Sequence, residues 1–355
     1  MSALKAELIR QITRLGPITI AEYMNQCLYH PTLGYYTNAA PLGAAGDFIT
    51  APEVSQMFGE MLGLALAQNW LDQGAPAPFC LAELGPGSGQ LMADILRATK
   101  GVTGFHDAMR LHFCDVNPSM MADQRLKLTE FQPKWVSDVT KLPAMPLFLL
   151  ANEFFDCLPI RQFVRAESEW QEQLVAVEND ALCFALKPAG LLGQELPQDA
   201  PIGAVVELCP AANAIMADIA RQIAANGGCA LVFDYGDWGS DGDSLQALRQ
   251  HQKVEPLAHP GTSDLTAHVN FQALALAARP FAQTSAMIPQ GPLLEQLGIT
   301  ARAQALAANL RDQALTDHIA AHRRLTHPEE MGKLFKALAI TPKGATLPPG
   351  FPHDT

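Results

Sequence analysis

Positive charge is scarce in this chain. Lysine and arginine number 24 against 36 aspartates and glutamates, a formal net charge of −12 over 355 residues. A general grip on nucleic acid needs a basic surface that displaces counterions, so that class is excluded. A basic or neutral partner suits the balance better. Charged residues of both signs reach only 17% while hydrophobic ones reach 48%, which excludes a disordered chain. No apolar run approaches the length of a membrane span, so no membrane insertion is expected. The opening "MSALKAELIRQITRLGPITIAEYM" has a helical apolar pattern closed by Gly16-Pro17. It lacks a signal-peptide core, and Glu7 is unsuited to an organellar transit peptide, so a cytoplasmic protein is expected. The seven cysteines are odd in number and hold no C-x-x-C pair, which reads as buried thiols in a reducing compartment. The ten histidines show no H-E-x-x-H or similar spacing, so no metal is expected.

What is present is alternation. Residues 1–75 read as short helices around a glycine-rich loop, with a long helical pattern opening at Pro52 and Glu53 and "GAPAP" as a linker. From residue 79, "FCLAEL", "MRLHFCDV", "KWVSDV", "PLFLLANEFF" and "CALVFDYG" read as strands, with helical patterns such as "GQLMADILRAT" and "PSMMADQRLKLTEF" between them. Apolar strands alternating with helices specify a mainly parallel sheet covered on both faces. Residues 161–208 break the rhythm and read as a small antiparallel insertion. The expected division is therefore 1–75 as a helical cap with a loop, 76–240 as the α/β core, and 241–355 as a helical extension ending in a closing edge strand, "LFKALAIT".

In such sheets ligands sit at the carboxyl ends of the strands. The first core strand ends "ELGPGSGQL", with Glu83 followed by Gly85, Gly87 and Gly89. The plain alternative is an ordinary strand-to-helix turn. A nucleoside triphosphate loop would need G-K-[ST], and here Gln90-Leu91 follows. A dinucleotide would bring its pyrophosphate close to Glu83, a like-charge contact costing on the order of several kcal/mol near a protein surface. A ligand carrying an amine and a sulfonium reverses that sign, which favours S-adenosylmethionine over NAD. The next strand ends at Asp115, where a carboxylate can accept both ribose hydroxyls; the alternative role, capping the following helix, could fall to Asn117. Asp138, after the third strand, is placed near an adenine amino group.

The fourth strand runs into "NEFFDCLPIRQF". Asn152, Glu153 and Asp156 with two aromatics suit a clamp for a cationic or amino substrate, the alternative being internal pairing of Asp156 with Arg161 or Arg165. Glu153 is the expected principal orienter, with Asp156 assisting or accepting a proton, and Asn152 bonding donor or substrate. "GAAGDFIT" is the expected lid, with Phe48 as an apolar plug. Asp234, Tyr235, His259 and His268 are expected to be structural.

The blocks "GDFITAPEVSQMFGE", "ELGPGSG", "NEFFDCLPIRQF", "GDSLQALRQH", "DLTAHVNF" and "RLTHPEEMGKLFKALAI" resemble the MidA family of S-adenosylmethionine-dependent methyltransferases over about residues 10–340. The resemblance implies a class I methyltransferase, Rossmann-like fold with a mainly parallel sheet. It implies S-adenosyl-L-methionine as donor and S-adenosyl-L-homocysteine as product. For mitochondrial members it implies symmetric dimethylation of an arginine on a core NADH dehydrogenase subunit, and a homodimer is entertained. Carried onto this chain, Glu83, Gly85, Gly87 and Gly89 form the donor turn, and Asp115 takes the ribose. Gly46, Asp47, Phe48 and Thr50 fall in a block that closes over the donor. Ser88, Asp115 and Cys157 stand where the family often has Arg, Glu and Ala. A small-molecule methyltransferase and a non-catalytic assembly factor are the rival readings.

Overall fold

The structure is a computed structural model that describes residues 2–38, 49–239 and 242–354. The chain divides into two compact units whose segments interleave. The larger holds residues 49–155, 213–238 and 270–355. Its first long helix, α1 (Gln56–Asp72), is separated from a short helix Ala51–Val54 by Ser55, whose side chain accepts the Met57 N–H. The single long helix expected from Pro52 is therefore broken. Serine with extended backbone competes with helix continuation and starts a new one.

After α1 come β1 (Phe79–Leu84), α2 (Gln90–Thr99), β2 (Met109–Cys114), α3 (Pro118–Lys127), β3 (Lys134–Val136) and β4 (Leu147–Asn152). The helix α4 (Pro210–Asn226) leads into β5 (Gly228–Asp237), followed by β6 (Gln283–Thr284) and β7 (Phe335–Thr341). The strand order is β3-β2-β1-β4-β5-β7-β6. From β3 to β5 every pairing is parallel; β7 runs antiparallel between β5 and β6. "LFKALAIT" is thus an interior strand, not the closing edge the sequence suggested. Every residue of β7 is buried, as a strand with neighbours on both sides requires.

β1 and β4 are buried at every position, and the sheet's core centres on Phe79, Phe148 and Phe233. Phe58 from α1 meets Phe233 edge-on with ring centroids 5.5 Å apart. Each such ring contributes roughly 1.5–3 kcal/mol by burial. Glu60 on α1 is the instructive exception. Its carboxylate is buried but receives Arg302 at 2.7 Å and Arg97 at 2.9 Å. Burial opposes its ionisation, yet bonds from Arg302 and Arg97 hold the carboxyl below its usual range.

The smaller unit holds residues 1–48, 156–212 and 239–269. Helix Ala3–Leu15 buries Leu4, Leu8 and Ile12. Helix Ile20–Tyr29 begins with a reciprocal cap between Thr19 and Glu22. Strands Arg161–Arg165, Trp170–Glu178, Ala181–Pro188 and Val205–Leu208 lie in one antiparallel sheet. The 161–208 segment thus groups with the N-terminal helices, while α1, placed on sequence with the N-terminal cap, groups with the parallel sheet. Five of the cysteines are buried and all seven are free.

Candidate active site

The register brings the informative residues to one edge of the parallel sheet. Leu84 lies opposite Cys114 on β2 and Ala151 on β4, and Asn152 opposite Phe233 on β5. The carboxyl ends of β1, β2 and β4 therefore lie at one level, beside the middle of β5. Glu83 and Asn152 lie at the ends of β1 and β4, Asp115 and Glu153 just past β2 and β4, and Asp234 within β5 one residue beyond Phe233.

Glu83 is 3% exposed, and its Oε2 has no hydrogen-bond partner among the described residues. Burial, then the negative charge of Asp115, pushes its carboxyl well above the usual range. The contrast with Glu60 is chemical. Glu60 is given two arginines by the fold; Glu83 is given none that the structure describes. A buried carboxylate without a counter-charge is expensive, so the position suits a cation brought from outside. An amine and a sulfonium on one small molecule meet that demand.

The turn after Glu83 has Gly85, Gly87 and Gly89 at φ of 57°, 52° and 75°, a left-handed run that side chains resist. Gly85 is tighter than Gly89. A Cβ on Gly85 would sit 3.1 Å from the ring of Phe154. Gly85→Ala is expected to combine backbone strain with displacement of Phe154, and so to destabilise by about 2 kcal/mol and weaken donor binding. Thermal melting with and without S-adenosylhomocysteine measures both; an unchanged melt would show that the turn tolerates a side chain.

Asp115 is half-buried, and its Oδ1 accepts the Asn117 N–H at 2.9 Å. Asn117 caps α3, accepting from Ser119 and Met120, so Asp115 is not used as the cap. Gln124, absent from the sequence reading, is completely buried and donates to Asp115 Oδ2 and to the Gly87 carbonyl. One signal could have found it: it stands four residues after Met120, on the same face, and these are the two buried positions of the helix. Asp138 is fully exposed and caps the short turn Val139–Lys141, accepting the Thr140 N–H at 3.0 Å and the Ser137 hydroxyl at 2.8 Å. Bonds from Thr140, then Ser137, lower its carboxyl below the usual range. Its carboxylate is engaged within its own loop.

At the end of β4, Asn152 is 9% exposed. Its Oδ1 has no hydrogen-bond partner among the described residues, and its Nδ2 donates to Glu153 Oε1 at 3.2 Å. Glu153 has φ 51°, a conformation that non-glycine residues hold only when their surroundings impose it. Its N–H donates to the Phe233 carbonyl at 2.9 Å, and its Oε1 accepts the Ala51 N–H at 3.1 Å. The Thr50 hydroxyl makes no cap bond at the start of that short helix. Asp234, fully buried, accepts the Phe155 and Tyr235 N–H groups and so fixes the turn that carries Glu153.

Asp156 lies in the smaller unit, buried, with its carbonyl accepting the Ala267 N–H at 2.9 Å. In that unit Arg161 pairs with Glu172 at 2.7 Å, and Arg165 donates to the Gln198 carbonyl at 3.1 Å. His268 donates its N–H to Ser244, and the His259 carbonyl accepts the Ser263 hydroxyl. Gly46, Asp47 and Phe48, with the expected lid up to Phe48, lie outside the described residues.

The strand order, and an acid near the end of β1 whose Oε2 is unpaired among the described residues, fit an enzyme that transfers a methyl group from a sulfonium donor. Residues 61–289 match the family described as "Putative S-adenosyl-L-methionine-dependent methyltransferase", and the chain belongs to that family. Among its relatives, the mitochondrial protein arginine methyltransferase NDUFAF7 of Bos taurus is 34% identical over 94% of this chain and 82% of its own length. The Homo sapiens protein of the same name is 33% identical over 94% and 82%. A Burkholderia thailandensis protein whose crystal structure holds S-adenosyl-homocysteine is 28% identical, with a TM-score of 0.84 over 98% of this chain and 94% of its own. The protein is thus a methyltransferase that uses S-adenosylmethionine. These relatives also correct the cytoplasmic expectation, since the NDUFAF7 proteins are named as mitochondrial. The N-terminal pattern could not carry that inference: its apolar stripe is used in packing Leu4, Leu8 and Ile12. Among the described residues no helix is long and apolar enough to cross a membrane.

Proposed function

We propose that the acceptor is an arginine side chain of a protein, and that Glu153 orients it. The observation that carries this reading is the held conformation of Glu153, a partly buried carboxylate at φ 51° beside the buried Oδ1 of Asn152, which has no partner among the described residues. Two acceptor oxygens there match the fork of N–H donors on a guanidinium. The names of the relatives support arginine as the acceptor. The family resemblance extends the proposal to symmetric dimethylation of a core subunit of NADH dehydrogenase.

When bound, S-adenosylmethionine supplies an electrophilic methyl group on positive sulfur. Glu83 and the turn through Gly85, Gly87 and Gly89 would hold its amino-acid end, and Asp115 its ribose. Glu153 would hold one side of the guanidinium fork, leaving the other nitrogen free to face the methyl. Positioning of this kind can supply several kcal/mol of the barrier. The guanidinium loses one proton for each methyl gained; Asp156, three residues on in the same motif, is assigned to assist or accept it. Thr50 is assigned to the donor side of the site.

The test is tritiated-methyl labelling of a lysate from cells lacking the gene. A labelled protein band that yields methylarginine on hydrolysis is expected. Label confined to small molecules would overturn the arginine assignment.

A further inference from the structure

We infer that Gln124 is a positioning residue of the donor site, tying the Asp115 carboxylate to the Gly87 carbonyl. The inference rests on the assignment of Asp115 to the ribose made above.

The side chain is completely buried on a helix whose only other buried position besides it, among those of α3, is Met120. A leucine or methionine would fill that place without the cost of burying an amide. The amide is instead used at both ends. Its Nε2 donates to Gly87 O at 2.8 Å and to Asp115 Oδ2 at 2.7 Å. Its Oε1 accepts the Trp135 Nε1–H at 2.7 Å. The orientation of the amide is unambiguous, because an indole N–H only donates and a carbonyl oxygen only accepts. The aliphatic stem passes 3.4 Å from where a Cβ on Gly89 would stand, so the same side chain also packs along the turn.

Two consequences follow for the ligand end. Among the described residues Asp115 has one donor on each oxygen, Gln124 on Oδ2 and the Asn117 N–H on Oδ1. A carboxylate accepts about four bonds, so each oxygen keeps a lone pair for one ribose hydroxyl while its direction is fixed. Holding the Gly87 carbonyl on the Gln124 side also turns the Ser88 N–H of that planar trans peptide the opposite way. One buried amide thus sets the ribose acceptor and the peptide direction of the glycine turn together. Gln124 acts on the donor only through these groups.

The test compares binding of S-adenosylhomocysteine with binding of an analogue lacking both ribose hydroxyls, by calorimetry, in wild type, Gln124→Leu and Asp115→Ala. Gln124→Leu is expected to weaken S-adenosylhomocysteine about tenfold and to change the analogue by less than threefold, so that the preference for hydroxyls shrinks. The double variant is expected to lose little more than Asp115→Ala alone. Equal weakening of both ligands, or an unchanged preference, would make Gln124 merely structural and overturn the inference. If Asp115→Ala keeps the full preference, the ribose assignment itself fails. If only Gln124→Leu keeps it, that assignment stands and the Gln124 inference falls. Should Gln124→Leu not fold, Gln124→Glu gives the same readout. It sets a carboxyl against Asp115, so its hydroxyl preference is expected to fall as pH rises, and a flat profile overturns the inference.

Discussion

Glu83→Gln is expected to weaken S-adenosylmethionine about 100-fold, about 2.7 kcal/mol, while leaving the fold intact. The substitution keeps the shape of the side chain and removes the charge. In the donor-free protein that charge is disfavoured, since burial and then Asp115 raise the carboxyl well above its usual range. A cationic ligand reverses the preference, so binding releases a proton wherever the free carboxyl is still protonated. Donor affinity should therefore rise with pH through the raised value and level off above it. Stability without donor should move the other way. A carboxyl whose folded value exceeds its unfolded one contributes stability that is whole below the unfolded value, about 4.3 for glutamate. That contribution is lost as pH climbs through the folded value. Melting and calorimetry across pH 5–8, in two buffers of different ionisation enthalpy, measure both trends. Glu83→Gln should flatten each. Equal affinities in wild type and variant at pH 8 would remove the charge from the account of donor binding.

Glu153→Gln is expected to lower methyl transfer by about 100-fold with donor affinity within about threefold of wild type. A misplaced acceptor nitrogen alone can cost about this much. The amide can still take the Ala51 N–H through its oxygen, so the helix start at Thr50 is preserved. What is lost is the second anionic oxygen for the guanidinium. Single-turnover transfer, paired with S-adenosylhomocysteine titration, separates the two effects. Equal transfer by both proteins would take Glu153 out of the reaction. The left-handed backbone at this residue gives a companion result. Glu153→Gly removes a strain of order 1–3 kcal/mol while abolishing transfer, so any thermal gain in that variant would show strain held for function.

The legibility of the site in the sequence follows a physical line. Glu83 and the glycine run were readable because a tight turn restricts residue type locally, and the sign of one charge then selects among ligands. Asp115 was readable because strand alternation fixes which residue emerges at the carboxyl end. The expected long helix from Pro52 failed at Ser55, where a local hydrogen bond outweighs continued helix. The placing of β7 at an edge failed because its partners lie nearly 60 and at least 100 residues away in the chain, and pairing at that distance leaves no local mark.

Composition, strand–helix alternation and the short motifs by themselves determined the fold class, the donor and the family, since each depends on neighbours a few residues apart. Only the tertiary structure decided that Glu60 is given arginines and Glu83, among the described residues, is not, that Gln124 joins the glycine turn to Asp115, and that Glu153 is held in a left-handed conformation with Asp234 fixing the residues after it. Those outcomes depend on which side chains meet across the sheet edge, and burial sets their energies only once the chain has brought them together.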